Sequence, residues 1–348
     1  YFAQLYANTC VEAEPASAGR MMNSHFATRL LDDQGRWKKL AQCKNVAADV
    51  SSNGSQMPRL VGLAYASKLY RENSQLAAYQ DFSCQGNEIA FGTIGNAATS
   101  EGMFFEAVNA AGVLQVPMLV SIWDDEYGIS VPQAYHTTKE DLSKVLSGFQ
   151  RTTREKGFDI FTVRGWDYVS LCAVYQRAAR ICRQEHVPVL VHVKEMTQPQ
   201  GHSTSGSHER YKSKKRLAWE ATYDCIKKMR EWILLCDLAS VSQLETIEQE
   251  AHEEAKRQKN SAWEAFQTVI QQDHHQAISL LQEVVATGIV SQPVATLLEE
   301  LRTVHQPTRL HAFRAVKQAL FFLRDVPYIV KKPLLAWLQR NTQANQNR

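Results

Sequence analysis

Apolar residues in this chain recur with two periods, one suited to buried strands and one to helices that lean on them. Ile89, Ala90, Phe91 and Ile94 make a short apolar run bounded by charged and turn residues, which predicts a strand. Gly95-Asn96-Ala97 reads as a tight turn feeding a helix. Thr99 and Ser100 are N-cap types, and Glu101 falls in a first turn, where the helix dipole favours a carboxylate. Met103, Phe104, Ala107, Val108, Ala111 and Leu114 then form an apolar stripe at helical spacing. Pro117 closes the crossover, and Met118 to Trp123 form a second apolar strand that ends at Asp124-Asp125. Strands joined in this way run parallel with a right-handed crossover. Asn96 and Asp125 are therefore expected at one edge of the sheet, the edge where open α/β sheets bind ligands.

The same two periods organise the rest. Residues 44–72 read as a polar approach and then a helix, with Pro58 suited to its first turn. Phe158 to Arg164 predicts a strand, Asp167 to Gln184 a helix and Pro188 to Glu195 a further strand, so a second unit continues the parallel sheet. It runs into Met196 to Ser213, a long loop of Gly, Ser, His and Pro at the ligand edge. From Lys214 the pattern is helical and strongly charged. Ser242 with Glu245 resembles a capping box, and the charged helix is expected to end near Gln267. Further helices are expected at 276–286, 293–304, 308–325 and 332–341. The expected architecture is an α/β parallel sheet with helices on both faces over residues 1–213, followed by a helical extension over 214–348.

Composition narrows the functional classes. The chain has 348 residues, 44% hydrophobic and 22% charged, which is ordinary for a globular protein large enough for two domains. A net charge of +3 with no basic stripe gives no reason to expect nucleic acid. The apolar runs fall short of a bilayer span. Seven scattered cysteines, none in a CxxC pair, point to a reducing, cytoplasmic setting rather than a disulfide or cysteine–zinc framework. The opening residues YFAQLYANTC lack Met and a signal-peptide pattern, so the sequence reads as a piece of a longer protein.

The sheet edge carries the candidate chemistry. Mg²⁺ takes near-octahedral oxygen ligands, few of them from protein and the rest from phosphates and water. Asn96, Asp125 and a backbone carbonyl in the turn after Asp125 suit that demand, and a helix starting near Ala98 would meet the anion. By themselves the two residues read first as a loop asparagine and a turn signal. Arg20, His25 and Arg29 share a segment, GRMMNSHFATRLLD, that is equally a solvated loop. GTIGNA has the wrong glycine spacing for a dinucleotide fingerprint, which argues against a nicotinamide-dependent enzyme.

GNAATSEG, NAAGVLQVP and WDDEYGIS together resemble the thiamine-diphosphate motif. More narrowly, they are similar to the alpha portion of the decarboxylating dehydrogenase component of 2-oxo acid dehydrogenase complexes. GRMMNSHFATR, SQMPRLVGLAYASK and QPQGHSTSGSHERYKS extend the likeness over residues 18 to 270. It is closest to the bacterial form in which alpha and beta portions are fused. The resemblance implies a thiamine-diphosphate-binding fold in which Asn96, Asp125 and the Tyr127 carbonyl hold Mg²⁺. Gly95, Ala97, Glu101, Ile129 and Gln56 would line the cofactor, and Arg20 and His25 would approach its diphosphate, His25 as a catalytic residue. His202 would serve as the histidine that helps hand the acyl group to a lipoyl arm, with Ser203 where relatives are phosphorylated.

The implied activity is oxidative decarboxylation of a branched-chain 2-oxo acid, or of pyruvate, with acyl transfer to a lipoyl-bearing acyltransferase. The implied partner is a beta portion, fused or separate, in a dimer or heterotetramer-like assembly, without which the fragment is expected to be inactive. The pattern departs where the family has Asp and this chain has Asn96, and where Asp125 replaces a residue that is commonly neutral, an exchange that would conserve ligand charge. Glu126 stands where Gly is common. The alternative is a non-catalytic, cofactor-free homologue that serves in assembly or regulation.

Overall fold

A computed structural model describes residues 1–201, 208–289 and 291–346. They form two compact units, Phe26–Glu248 and, as the other, Tyr1–His25 with Gln249–Arg348.

In chain order the helices are α1 (Phe2–Leu5), α2 (Gln56–Glu72), α3 (Gly102–Leu114), α4 (Leu142–Val145), α5 (Tyr168–Glu185), α6 (Lys214–Thr222), α7 (Cys225–Leu235), α8 (Val241–Ala286), α9 (Ser291–Thr303), α10 (Arg309–Phe322) and α11 (Tyr328–Gln346). The strands are β1 (Ala90–Gly95), β2 (Met118–Trp123), β3 (Tyr127–Gly128), β4 (Val131–Pro132), β5 (Asp159–Arg164) and β6 (Val189–Lys194). Strands β1, β2, β6 and β5 lie side by side in that order in one parallel sheet, and β3 pairs with β4 in a small hairpin. Both sequence-predicted crossover units are thus present, with strand bounds within a residue or two of those expected.

The two central strands of the sheet are covered on both faces, which is why they read as largely apolar runs interrupted only by the buried Ser121 and His192. On one face Val120 and Ile122 of β2 and Leu190 of β6 pack with Met57, Leu60 and Ala64 of α2 and with Phe104, Ala107, Val108 and Ala111 of α3. On the other, Leu119 and the valines 189, 191 and 193 pack with Ala178, Ile181 and Cys182 of α5. Each fully buried Val, Leu, Ile, Phe or Met side chain contributes about 1.5–3 kcal/mol. Helix α2 can come this close because β1 carries Gly92, where a Cβ would fall 2.8 Å from Leu60 Cδ2. The two-residue alternation of β6 turns His192 onto the α2–α3 face, a polar residue in an otherwise valine-rich strand.

Three local expectations are corrected. The turn after β1 is a short 3₁₀ helix over Ala97–Ser100, and the α-helix α3 starts only at Gly102, so neither Thr99 nor Ser100 caps it and no α-helix begins near Ala98. The charged C-terminal helix does not stop near 267 but runs on through the helix expected at 276–286, as α8. Its cap is Ser240 rather than Ser242: the Gln243 amide donates to Ser240 Oγ at 3.3 Å, and the Gln243 side chain accepts from the Ser240 amide at 2.8 Å. In the second unit, Ala277, Leu281, Leu298, Val316, Ala319 and Leu334 from α8 to α11 form a separate apolar core.

Candidate functional site

The two strand ends are tied directly. Gly95 pairs with Trp123 in register, and the Asn96 amide donates to the Trp123 carbonyl at 3.0 Å. One rung further, the Asp124 amide donates to the Val193 carbonyl at 2.9 Å. The ladders of β1, β2 and β6 therefore end together and deliver Asn96, Asp124 and Asp125 to one edge.

Asn96 is only 3% exposed, its side chain makes no capping bond, and its Nδ2 is buried with no hydrogen-bond partner. Burying an unpaired amide is costly, so this side chain is set for a partner from outside the chain. The Tyr127 amide donates to Asp125 Oδ1 at 3.2 Å. Burial nevertheless pushes the Asp125 carboxyl above the usual carboxylate range, a tendency that Tyr127 N–H, Lys212 and Arg216 only partly oppose. A bound cation would relieve that cost. Across the β3–β4 hairpin Tyr127 faces Pro132, which has no N–H to donate, so the Tyr127 carbonyl receives nothing from that partner. Gly128 seats the hairpin on the β1 turn: a Cβ there would fall 2.6 Å from Ala97 Cβ. A second buried, unpaired atom, His136 Nε2, lies 3.7 Å from that same Cβ position.

Asp124 is different. Burial raises its pKa, but His192 Nε2 at 2.7 Å, the Glu126 amide at 2.9 Å and Gln133 Nε2 at 3.0 Å outweigh that and hold the carboxyl below the usual range. His192 is fully buried, and its Nδ1 lies 2.5 Å from Ser143 Oγ. With Nε2–H given to the carboxylate, Nδ1 accepts from the hydroxyl. Asp124 is thus committed to the protein, which leaves Asp125 to face a ligand.

The other expected residues divide into four sets. Gln56 opens α2 and reaches the Thr93 carbonyl of β1 in a long bond of 3.4 Å, while Gly54 just before it lies against Glu101, 3.1 Å from Glu101 Cβ to a Cβ built there. Gly95, Ala97, Glu101, Tyr127 and Ile129 flank Asn96 and Asp125 along the chain at this edge. Arg20 and His25 belong to the other compact unit, where the Arg20 amide donates to Ser17 Oγ at 3.0 Å and His25 Nδ1 lies 3.0 Å from the Asn23 carbonyl. His202 and Ser203 lie outside the described residues.

Sequence reasoning missed the residues that brace the turn. Arg216 of α6 donates to the Asp125 carbonyl at 2.8 Å, pairs with the Glu126 carboxylate and reaches Glu220 at 2.9 Å. Lys212 salts the same Glu220 at 2.8 Å. The four-residue spacing of Arg216 and Glu220 marked them as a helix pair. Nothing local marked their target.

The group set fits a magnesium–diphosphate ligand: the buried, unpaired Asn96 Nδ2–H suits an anionic oxygen of the diphosphate, while Asn96 Oδ1, the desolvated Asp125 carboxylate and a backbone carbonyl are oxygen donors of the kind a hard cation takes. Among the described residues no three His, Cys, Asp or Glu side chains cluster as a metal site. No helix among the described residues is long and apolar enough to cross a membrane.

Comparison with known proteins agrees. The chain is 29% identical over 203 residues to the pyruvate dehydrogenase E1 component subunit alpha of Rickettsia bellii, covering 58% of this chain and 55% of the relative. It is 27% identical over 228 residues to the mitochondrial 2-oxoisovalerate dehydrogenase subunit alpha of Dictyostelium discoideum, covering 64% and 43%. A 3-methyl-2-oxobutanoate dehydrogenase subunit alpha of Mycobacterium tuberculosis is 27% identical over 181 residues, covering 52% and 43%. The chain spans about half the length of the curated relatives it matches. The model of the dehydrogenase E1 component family matches residues 13–270. The chain belongs to that family, which depends on thiamine diphosphate with Mg²⁺ as its usual partner ion.

Proposed function

We propose that this chain is the diphosphate-side, alpha part of a 2-oxo acid dehydrogenase, working with a beta portion to decarboxylate a 2-oxo acid oxidatively and acylate a lipoyl-bearing acyltransferase. The observation that carries the reading is the buried, unpaired Asn96 amide beside a desolvated Asp125 at the sheet's ligand edge. Asn96, Asp125 and the Tyr127 carbonyl would hold Mg²⁺. Gln56, Gly95, Ala97, Glu101 and Ile129 would line the approach of the diphosphate, and the part given to Arg20 and His25 rests on the sequence resemblance alone. The bound cofactor supplies an electron sink for the carbanion left when CO₂ departs. His202, in a Gly-His-Ser loop, would give or take a proton as the acyl group moves to sulfur. Branched-chain 2-oxo acids are the first expectation and pyruvate the second; the relatives carry both names, which supports the class of 2-oxo acids and not the order. A fused arrangement with the beta portion, as a dimer or heterotetramer-like assembly in the cytoplasm, belongs to the same proposal.

The neutral Asn96 favours a second reading, a cofactor-free homologue with an assembly or regulatory role. Turnover of 2-oxo acids with a dye acceptor separates the two. Activity of the chain assembled with a beta portion, and none for the chain alone, is the expected result; no activity in either state favours the second reading.

A further inference from the structure

The turn that carries Asp125 and the Tyr127 carbonyl is strained. Glu126 has φ +69° and Ile129 φ +59°, left-handed values that cost a residue with a side chain, most of all a β-branched one. Such backbone persists only where its surroundings over-determine it. From within the unit's core, Asp124 takes the Glu126 amide, and the Gln133 amide donates to the Glu126 carbonyl at 2.9 Å. From outside, one side chain among the described residues spans the turn. Arg216 is 13% exposed, with its guanidinium 4.7 Å from the Trp219 ring centroid and 5.5 Å from that of Tyr127. Its Nε goes to Glu220, Nη2 to the Asp125 carbonyl and, in a longer bond of 3.5 Å, to the Met196 carbonyl, and Nη1 to the Glu126 carboxylate. Glu220, 3% exposed and also held by Lys212, fixes the base of the fork. A planar guanidinium held at its base has no freedom to follow the turn if the turn relaxes.

We infer that Arg216 is the positioning residue of the metal turn: by pinning the Asp125 carbonyl and the Glu126 carboxylate, it holds the left-handed backbone at Glu126 that aims the Asp125 side chain and the Tyr127 carbonyl at one cation. The inference rests on the magnesium–diphosphate reading of the site. It also makes α6 part of that site, since the helix that follows the Gly-His-Ser segment carries the residue that sets the ligand geometry.

Two measurements on the full-length protein with its beta portion test it. In cofactor-free protein, Arg216→Gln should speed hydrogen exchange in the 124–130 segment, a readout that does not depend on the cofactor reading; unchanged exchange would overturn the inference. In calorimetric titrations with Mg²⁺ and thiamine diphosphate, Arg216→Gln should weaken the Mg²⁺ requirement's midpoint about ten- to a hundredfold, the usual effect of removing an outer partner of a metal ligand. Arg216→Lys, which keeps the charge but not the fork, should fall between. On a Glu126→Gly background, where the left-handed conformation no longer needs holding, Arg216→Gln should cost little. A merely structural anchor of α6 would cost the same on both backgrounds, and that equality would also overturn the inference. If the wild type binds no Mg²⁺–thiamine diphosphate while exchange responds as stated, the functional reading fails and the clamp on the turn stands.

Discussion

The Asn96 amide donates to the Trp123 carbonyl at 3.0 Å, one rung beyond the paired strands β1 and β2. That bond fixes where the two candidate metal ligands emerge. It makes the relation between Asn96 and Asp125 a property of the sheet ladder rather than of a loose loop. Ligand charge can then be exchanged between the two positions without moving either.

Asp125→Asn leaves two neutral side chains at the edge and should weaken Mg²⁺ binding by about tenfold or more, because affinity at such sites follows ligand charge. Asn96→Asp should tighten it. The double exchange, Asn96→Asp with Asp125→Asn, should return the affinity close to wild type. Mg²⁺ titrations of thiamine diphosphate binding report all three, and an Asp125→Asn protein with unaltered Mg²⁺ affinity would end the idea of charge compensation.

His192→Ala removes the imidazole that holds Asp124 and leaves a buried carboxylate with one partner fewer. Breaking a buried pair in this way costs about 3 kcal/mol. Chemical denaturation should show a loss of that order, and a loss under 1 kcal/mol (about the worth of an ordinary hydrogen bond) would show that Asp124 repartners freely.

The central strands and the α3 stripe were legible in the sequence because most of their apolar positions are buried. Met118 to Trp123 lies in the middle of a sheet covered on both faces, so every position is apolar or tightly packed. The pair of edge residues was legible for the same reason, since parallel strands must end together. What was not legible depends on contacts distant in sequence. Arg216 meets Asp125 only because α6 folds back on the end of β2, and His192 looked like one polar interruption in a valine run. The cap of α8 was ambiguous locally: Ser240 and Ser242 are each followed three residues later by Gln or Glu, and the chain uses the first.

Asp141 links α4 to β6. Its carboxylate accepts from Lys194 Nζ at 2.9 Å and caps α4 through the Lys144 amide at 3.3 Å. Burial pushes its pKa up, but these partners outweigh burial and hold it below the usual range. A depressed folded-state pKa stabilises the fold fully above the unfolded value near 4, and the contribution disappears as pH falls through the lower folded value. Urea midpoints should therefore drop below about pH 4, and Asp141→Asn should flatten that drop while costing about 1 kcal/mol at neutral pH. A parallel acid profile in the variant would assign the drop to other carboxylates.

Cys182 sits between α5 and the sheet, and burial pushes its thiol up to about 12. At pH 8 a thiol reagent should label the exposed Cys10, Cys43, Cys84 and Cys236 quickly and Cys182 only on unfolding. Labelling of Cys182 in the native state would mean that the α5 face opens readily.

The oxygen-donor edge at Asn96 and Asp125 is tested most directly by calorimetry of thiamine diphosphate binding to the full-length protein with its beta portion, with and without Mg²⁺, beside the Asp125→Ala variant. Saturable binding that requires Mg²⁺ and is lost in Asp125→Ala is the predicted result. Absence of binding in the wild type, or binding indifferent to both Mg²⁺ and Asp125, would contradict it.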